Sequence, residues 1–337
     1  MKKILYSLIA PTLVMALFIG LTHAGQIIDT EGVEQAIVHG AILWDVREGQ
    51  AYAKGHIPGA VNVGKKICAV LRTIGTYDYL PMEQINQCLA NWGIDPTKEI
   101  IVYGDKASVC TYFVLVTLEF VGAENVKAYH GGIDDWVSAG RPLSSDPALR
   151  VPMTLPLGVR PKPEVLVSTE EVIRTLKRND VQILDVRTQK EFLGEDIRAL
   201  RGGHIPGAVN IPYEMNWVDP QALMKMEKEK INAKEGFSFK PLEQLKRLYM
   251  NLDPQKEIFV YCHTSPRACV TATVLKNLGF RRVRVYDSSW FGYGNRFDTP
   301  VERESFFDVF ALTRKLKEME QRINALEMQM GSIKVKK

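Results

Sequence analysis

The sequence has few cysteines and little net charge. Cys68, Cys88, Cys110, Cys262 and Cys269 are the only cysteines in 337 residues. None forms a C-x-x-C pair, and no Cys/His cluster has zinc-ligand spacing, so neither a metal nor any other cofactor is expected. Their number is odd, which leaves at least one thiol unpaired in a monomer. The formal net charge is +4, and Lys2 and Lys3 supply two of those charges, leaving +2 without them. That field is too weak to argue for nucleic acid or an anionic membrane surface. Long apolar runs are also missing, apart from one. Ile4 to Leu21 is nearly all apolar, follows Met1-Lys2-Lys3, and ends in Thr22-His23-Ala24. This reads as a secretory signal over residues 1–24, cut after Ala24. An uncleaved membrane anchor is the alternative, since the run is long enough to span a bilayer. Either reading places the bulk of the chain in the periplasm or outside the cell.

What the sequence does have is a repeat. Gly55-His56-Ile57-Pro58-Gly59-Ala60-Val61-Asn62 recurs unchanged at Gly203 to Asn210. An apolar stretch ending in Asp-Val-Arg precedes each copy (Ile42 to Arg47, Ile183 to Arg187). A second stretch follows each, Glu99 to Tyr103 and Glu257 to Tyr261. An identity of this length with matched flanks means one domain present twice. Helix-like segments surround these strands: Val33 to Val38, Thr169 to Lys177, Val109 to Phe120 and Arg267 to Leu278. Val126 to Tyr129 and Val283 to Tyr286 close the copies as last strands. Continuous apolar strands alternating with helices predict a parallel sheet covered on both faces.

Between the copies, Ser144 to Pro163 holds Pro147, Pro152, Pro156, Pro161 and Pro163, which predicts a stiff extended linker. The second copy carries a charged insertion, Met224 to Lys240, read as a surface helix and loop. At the end of the chain Val309, Leu312, Leu316, Met319, Ile323, Leu326 and Met330 alternate spacings of three and four, a heptad seam over about three heptads. A coiled coil that makes a homo-oligomer fits this pattern, and so does an amphipathic helix folded back on its own domain.

Chemistry concentrates at Tyr261-Cys262-His263-Thr264-Ser265-Pro266-Arg267, where a buried strand passes into a helix. Ligands in open parallel sheets bind beyond the carboxyl ends of the strands. A helix N-terminus there offers unpaired N–H groups and partial positive charge. A thiolate in such a turn is stabilised, and the same N–H groups can hold an anionic substrate or a charged persulfide. Arg267 adds positive charge at the end of the loop. A lone cysteine after a strand is more often a small buried hydrophobe, but the polar company of Cys262 argues against that reading.

The series Asp-Val-Arg, then Gly-His-Ile-Pro-Gly-Ala-Val-Asn, then Val260-Tyr261-Cys262 with Arg267 closing the loop resembles the rhodanese (thiosulfate sulfurtransferase) superfamily. Two further segments resemble the ends of its domains: Tyr129-His130-Gly131-Gly132-Ile133-Asp134-Asp135-Trp136, and Tyr286-Asp287-Ser288-Ser289-Trp290 with Gly294-Asn295-Arg296. The resemblance covers roughly residues 30–143 and 165–303 and implies an α/β fold: two rhodanese-like domains, each an open parallel sheet with helices on both faces, plus a C-terminal amphipathic helix. The expected division is a domain at 25–143, a linker at 144–164, a catalytic domain at 165–303 and a helical tail at 304–337. Aligning Tyr103 with Tyr261 sets Gly104 opposite Cys262 and Cys110 opposite Ala268. The first copy therefore lacks the nucleophile and is expected to be inactive.

The resemblance implies ping-pong transfer. Cys262 takes the outer sulfur of a small donor such as thiosulfate as a persulfide, and a thiophilic acceptor, cyanide or a thiol, removes it. Arg187, His263, Thr264, Ser265 and Arg267 are the candidate substrate-binding residues, with a structural ion pair as the alternative for Arg187. The repeated His56 and His204 read as structural, and Cys269 as core. Related phosphatases of this fold place five residues between Cys and Arg, whereas here there are four, which favours sulfur over phosphate or arsenate. Thiosulfate-type members carry basic residues after the cysteine and mercaptopyruvate-type members carry Gly-Ser-Gly; His263-Thr264-Ser265-Pro266 matches neither. A non-catalytic sulfur carrier that delivers a persulfide to a protein partner is the competing reading.

Overall fold

The computed structural model of the chain describes residues 25–62, 71–73, 79–149, 152–158 and 160–334. The expected leader at 1–24 and Cys68 lie outside the described residues. No helix among the described residues is long and apolar enough to cross a membrane.

Two five-stranded sheets share one topology. In the first, β1 (Ile27–Ile28), β2 (Ile42–Asp45), β3 (Val61–Asn62), β4 (Ile100–Tyr103) and β5 (Val126–Tyr129) run in the order β1-β5-β4-β2-β3, all parallel. In the second, β6 (Leu166–Val167), β7 (Val181–Asp185), β9 (Val209–Asn210), β10 (Glu257–Tyr261) and β11 (Val283–Tyr286) run β6-β11-β10-β7-β9, again all parallel. A small antiparallel pair, β8 (Arg201–His204) with β12 (Glu302–Phe306), belongs to the second copy. The central strands β4 and β10 are covered on both faces, as their unbroken Ile-Ile-Val-Tyr and Ile-Phe-Val-Tyr runs require. The strands β2 and β7 end at Asp45 and Asp185, two residues short of the predicted ends, so the Asp-Val-Arg arginines fall just past them.

The two copies share a core. The helix Val109–Val121 is apolar all round and almost wholly buried, because its second side packs on the helix Pro266–Asn277 of the other copy. Ala268 and Ala272 are fully covered there, and their small side chains let the two backbones approach. One continuous apolar cluster runs from Trp44 and Ile85 through Leu115 to Val260, Leu275 and Tyr249. Each large side chain so covered contributes roughly 2 kcal/mol. Ion pairs join the copies at the rim: Arg72 to Asp287 at 2.7 Å and Lys276 to Glu119 at 2.7 Å.

The linker is extended, and it is docked rather than free. Ser144 exchanges two backbone hydrogen bonds with His56, Met153 N–H donates to Ala90 O, and Lys162 N–H donates to Phe120 O. The insertion is a surface helical stretch, Ala222–Met224 continued by Lys225–Glu229, followed by a loop, and the loop docks: Phe237 is buried, Phe237 O is bonded to His130 of the first copy at 2.7 Å and Lys234 is paired to Asp134. The C-terminal helix Val309–Lys334 does not fold back on its domain, and its seam side chains stay exposed.

Candidate active site

The turn after β10 is built by local chain chemistry. Pro266 opens the helix Pro266–Asn277 at its first turn, where a missing N–H costs nothing. Ser265 takes φ +83° to turn the chain into that helix. Ser289 in the following loop, at φ +51°, accepts from the Cys262 N–H at 3.2 Å and donates to Tyr286 O at 2.8 Å. Trp290 N–H donates to Cys262 O at 3.0 Å and Phe291 N–H to His263 O at 2.9 Å. Cys262 is thus held by its own backbone on both sides. Its thiol is free and 1% exposed.

The internal repeat supplies a control. The turn after β4 has the same shape: Ala107 matches Ser265 with φ +61°, and Gly132 matches Ser289 with φ +55°. In that copy three of the turn's donors are paired. Lys106 N–H bonds to Asp134 Oδ2 at 2.9 Å, Ala107 N–H to His130 O at 3.0 Å and Ser108 N–H to Asp105 O at 3.0 Å. In the second copy the N–H groups of His263, Thr264, Ser265, Arg267 and Ala268 meet no acceptor among the described residues. The two turns differ at matched donors: the Thr264 and Ser265 N–H groups stay open, where their counterparts Lys106 and Ala107 are paired. Cys110 sits in the helix after the first turn, as aligned, and is disulfide-bonded.

Arg267 is held in a two-pronged ion pair with Glu191, at 2.8 Å on each prong. Burial alone would raise the Glu191 carboxyl, but the Arg267 bonds hold it down at about 2; Arg267 is itself raised, with Glu191 and Cys262 outweighing its desolvation. Glu191 is fixed by a capping box with Thr188, which the spacing Thr188-Gln189-Lys190-Glu191 displays in the sequence, although nothing there joins it to Arg267. The first copy has Ala51 and Val109 at these two places, so the pair goes with the cysteine. The His263 ring is pushed down to about 4, by burial and then by the nearby Arg198, so it is neutral at pH 7, and its Nδ1 is buried without a partner. Burial also raises the Glu214 carboxyl near Arg267. Beside this residue a cavity of about 390 Å³ is lined by Thr188, Gln189, Pro212, Glu214, Met215 and Leu223, among others.

Arg187 lies near enough to this group to act on the charges of Glu191 and His263, but its hydrogen bonds go elsewhere. Its guanidinium bonds Asp185 at 2.6 to 3.1 Å and Gly203 O at 2.7 Å, and lies over the Trp290 ring. Arg47 repeats the arrangement with Asp45 and Gly55 O at 2.6 to 3.1 Å in the copy that has no nucleophile. The pair is thus common to both copies, and in the second it also sets Arg187 beside the loop that holds Cys262. His56 and His204 are structural, each bonding a backbone carbonyl and stacking on Tyr52 or Phe192. Cys269 is core, with its thiol raised by burial. No group of side chains among the described residues has the makings of a metal site.

The Rhodanese-like domain family matches residues 29–139 and 168–296, both copies. The chain belongs to the rhodanese family. Curated relatives include a thiosulfate sulfurtransferase of Azotobacter vinelandii, 31% identical over 261 residues, covering 77% of this chain and 90% of that protein. Another, from Corynebacterium glutamicum, is 32% identical over 263 residues, covering 74% and 81%. Among solved structures, an anaerobic ergothioneine biosynthesis enzyme from Chlorobium limicola in complex with trimethyl histidine superposes with a TM-score of 0.68 at 22% identity, over 82% of this chain and 70% of that one. That likeness speaks to the fold. This tandem rhodanese is a sulfurtransferase enzyme, with a sulfur donor and a sulfur acceptor as its substrates.

Proposed function

We propose that this rhodanese moves sulfane sulfur from thiosulfate or a similar small donor to cyanide or a small thiol, through a persulfide on Cys262. The observation that carries the reading is the contrast between the two turns: the Thr264 and Ser265 N–H groups near Cys262 are open, while the matching Lys106 and Ala107 N–H groups near Gly104 are paired. The Cys262 thiolate attacks the outer sulfur of thiosulfate, the S–S bond breaks, and sulfite leaves with its electron pair. The persulfide then carries its charge among the loop N–H groups, for which its terminal sulfur is an acceptor. The acceptor attacks that sulfur and restores the thiolate. Arg267, anchored by Glu191, adds positive charge to the turn, and Thr264 and Ser265 contribute their backbone donors. His263, neutral at pH 7, supplies an N–H rather than a full charge.

Burial favours small substrates over a protein partner. A sulfur 1% exposed is within reach of a small anion, while the thiol of a folded carrier would need the turn to open. The residues that distinguish the second copy all surround Cys262, so catalysis is assigned to 165–303 and a supporting role to 25–143. The disulfide at Cys110 is consistent with an oxidising compartment, and we propose export by the N-terminal segment to the periplasm or beyond.

Steady-state kinetics with thiosulfate and cyanide test the assignment. Parallel double-reciprocal lines are expected, with turnover abolished in Cys262→Ser and retained in Cys88→Ser. Turnover surviving in Cys262→Ser would overturn it.

A further inference from the structure

The helix Val309–Lys334 is the largest element left uncovered among the described residues. It leaves the catalytic domain directly after β12, with Asp308 Oδ1 capping it by a 2.8 Å bond from the Ala311 N–H. At 26 residues it is about 39 Å long. Its apolar stripe is open to solvent: Leu312 is 40% exposed, Leu316 55%, Met319 52%, Ile323 53% and Leu326 50%. A single solvated helix gains little from its own hydrogen bonds, and stability in such a sequence comes from covering the stripe.

The spacing assigns heptad positions. Val309, Leu316, Ile323 and Met330 take position a, and Leu312, Met319 and Leu326 take position d. Branched residues at two a positions with leucine at two d positions favour two strands. The flanking charges set the orientation. Position g holds Lys315 and Arg322, and position e holds Glu320 and Glu327. In a parallel pair each g residue faces the e residue of the following heptad on the partner, so Lys315 meets Glu320 and Arg322 meets Glu327. In an antiparallel pair g faces g and e faces e, which sets like charges together. Within the helix, the ion pair Arg314 to Glu318 at 3.9 Å lies off both lines. Exposed Phe306, Phe307 and Phe310 add apolar surface at the root of the helix.

We propose that this helix forms a parallel, in-register two-stranded coiled coil with a second copy of the chain, which sets two catalytic domains side by side at one end. The inference does not depend on the sulfur chemistry.

Sedimentation equilibrium of the full chain is expected to give the mass of two chains. The double variant Leu316→Lys/Ile323→Lys is expected to sediment as one chain while sulfurtransferase turnover per chain is unchanged, which shows that the domains remain folded. Glu320→Lys/Glu327→Lys should also dissociate, and adding Lys315→Glu/Arg322→Glu to it should restore the pair. Mild oxidation of Leu312→Cys should link two chains through that residue, whereas an antiparallel pair would hold the two sulfurs about 21 Å apart along the axis. A one-chain mass for the unaltered protein, a mass of three or more chains, a pair that survives Leu316→Lys/Ile323→Lys, or no Leu312→Cys link would each overturn the proposal.

Discussion

His263 and Glu191 make the site sensitive to acid at the level of single groups. His263 is lowered from 6.5 to about 4, and His130, buried between the copies, is lowered to about 4 as well. Burial is the first cause for both. Each imidazole stays neutral in the fold down to about pH 4 but takes a proton in the unfolded chain from about pH 6.5. Over that interval the unfolded chain binds more protons, so stability falls as pH falls, by up to roughly 3 kcal/mol for each residue. Glu191, lowered to about 2, adds a second loss as pH drops through the ordinary carboxylate range toward 2. Urea unfolding at a series of pH values should show stability declining from pH 6.5 to 4.5, with a shallower decline in His263→Asn. Flat stability over that interval would contradict the assignment. The sequence named Cys262 and its turn because the repeat sets Gly104 opposite the cysteine at the end of the matched strand. It gave no role to Glu191 or Ser289, whose partners lie 76 and 27 residues away along the chain.

Elements explain why the turn holds its shape with so little local support. At Gly132 in the first copy, an added Cβ would lie 2.2 Å from Gly104 O, so glycine is required there. The second copy accepts Ser289 at nearly the same φ, and its hydroxyl is the acceptor for the Cys262 N–H. Ser289→Gly therefore restores a residue suited to the backbone while removing that bond. The expected result is an unchanged or slightly higher melting temperature with kcat reduced roughly five- to tenfold, the worth of one hydrogen bond. A kcat equal to that of the unaltered protein would show that the bond does not position the thiol. The parallel sheets and the helices that flank their strands were legible in the sequence, because apolar runs and helical stretches alternate in step with the repeat. The fate of the insertion was not. Its charge signals a solvated surface, and only the burial of Phe237 and the bond from its carbonyl to His130 show that it clasps the other copy.

At the scale of the whole molecule the two copies act as one body. The apolar cluster is continuous between them, and Arg72, Lys276 and Lys234 each reach across to a carboxylate. Calorimetry should record one transition, and two resolved transitions would show that the copies fold independently. Within that body the two copies keep one scaffold, as the matched Asp45–Arg47 and Asp185–Arg187 pairs attest, and our proposal places catalysis in the second. The most direct test is mass spectrometry of the intact protein after thiosulfate treatment, followed by peptide mapping. The account predicts a gain of one sulfur atom, carried by the peptide that holds Cys262 and lost on adding cyanide. Sulfur found on Cys88 or Cys269 instead, or no sulfur retained by a protein that still turns over, would contradict it.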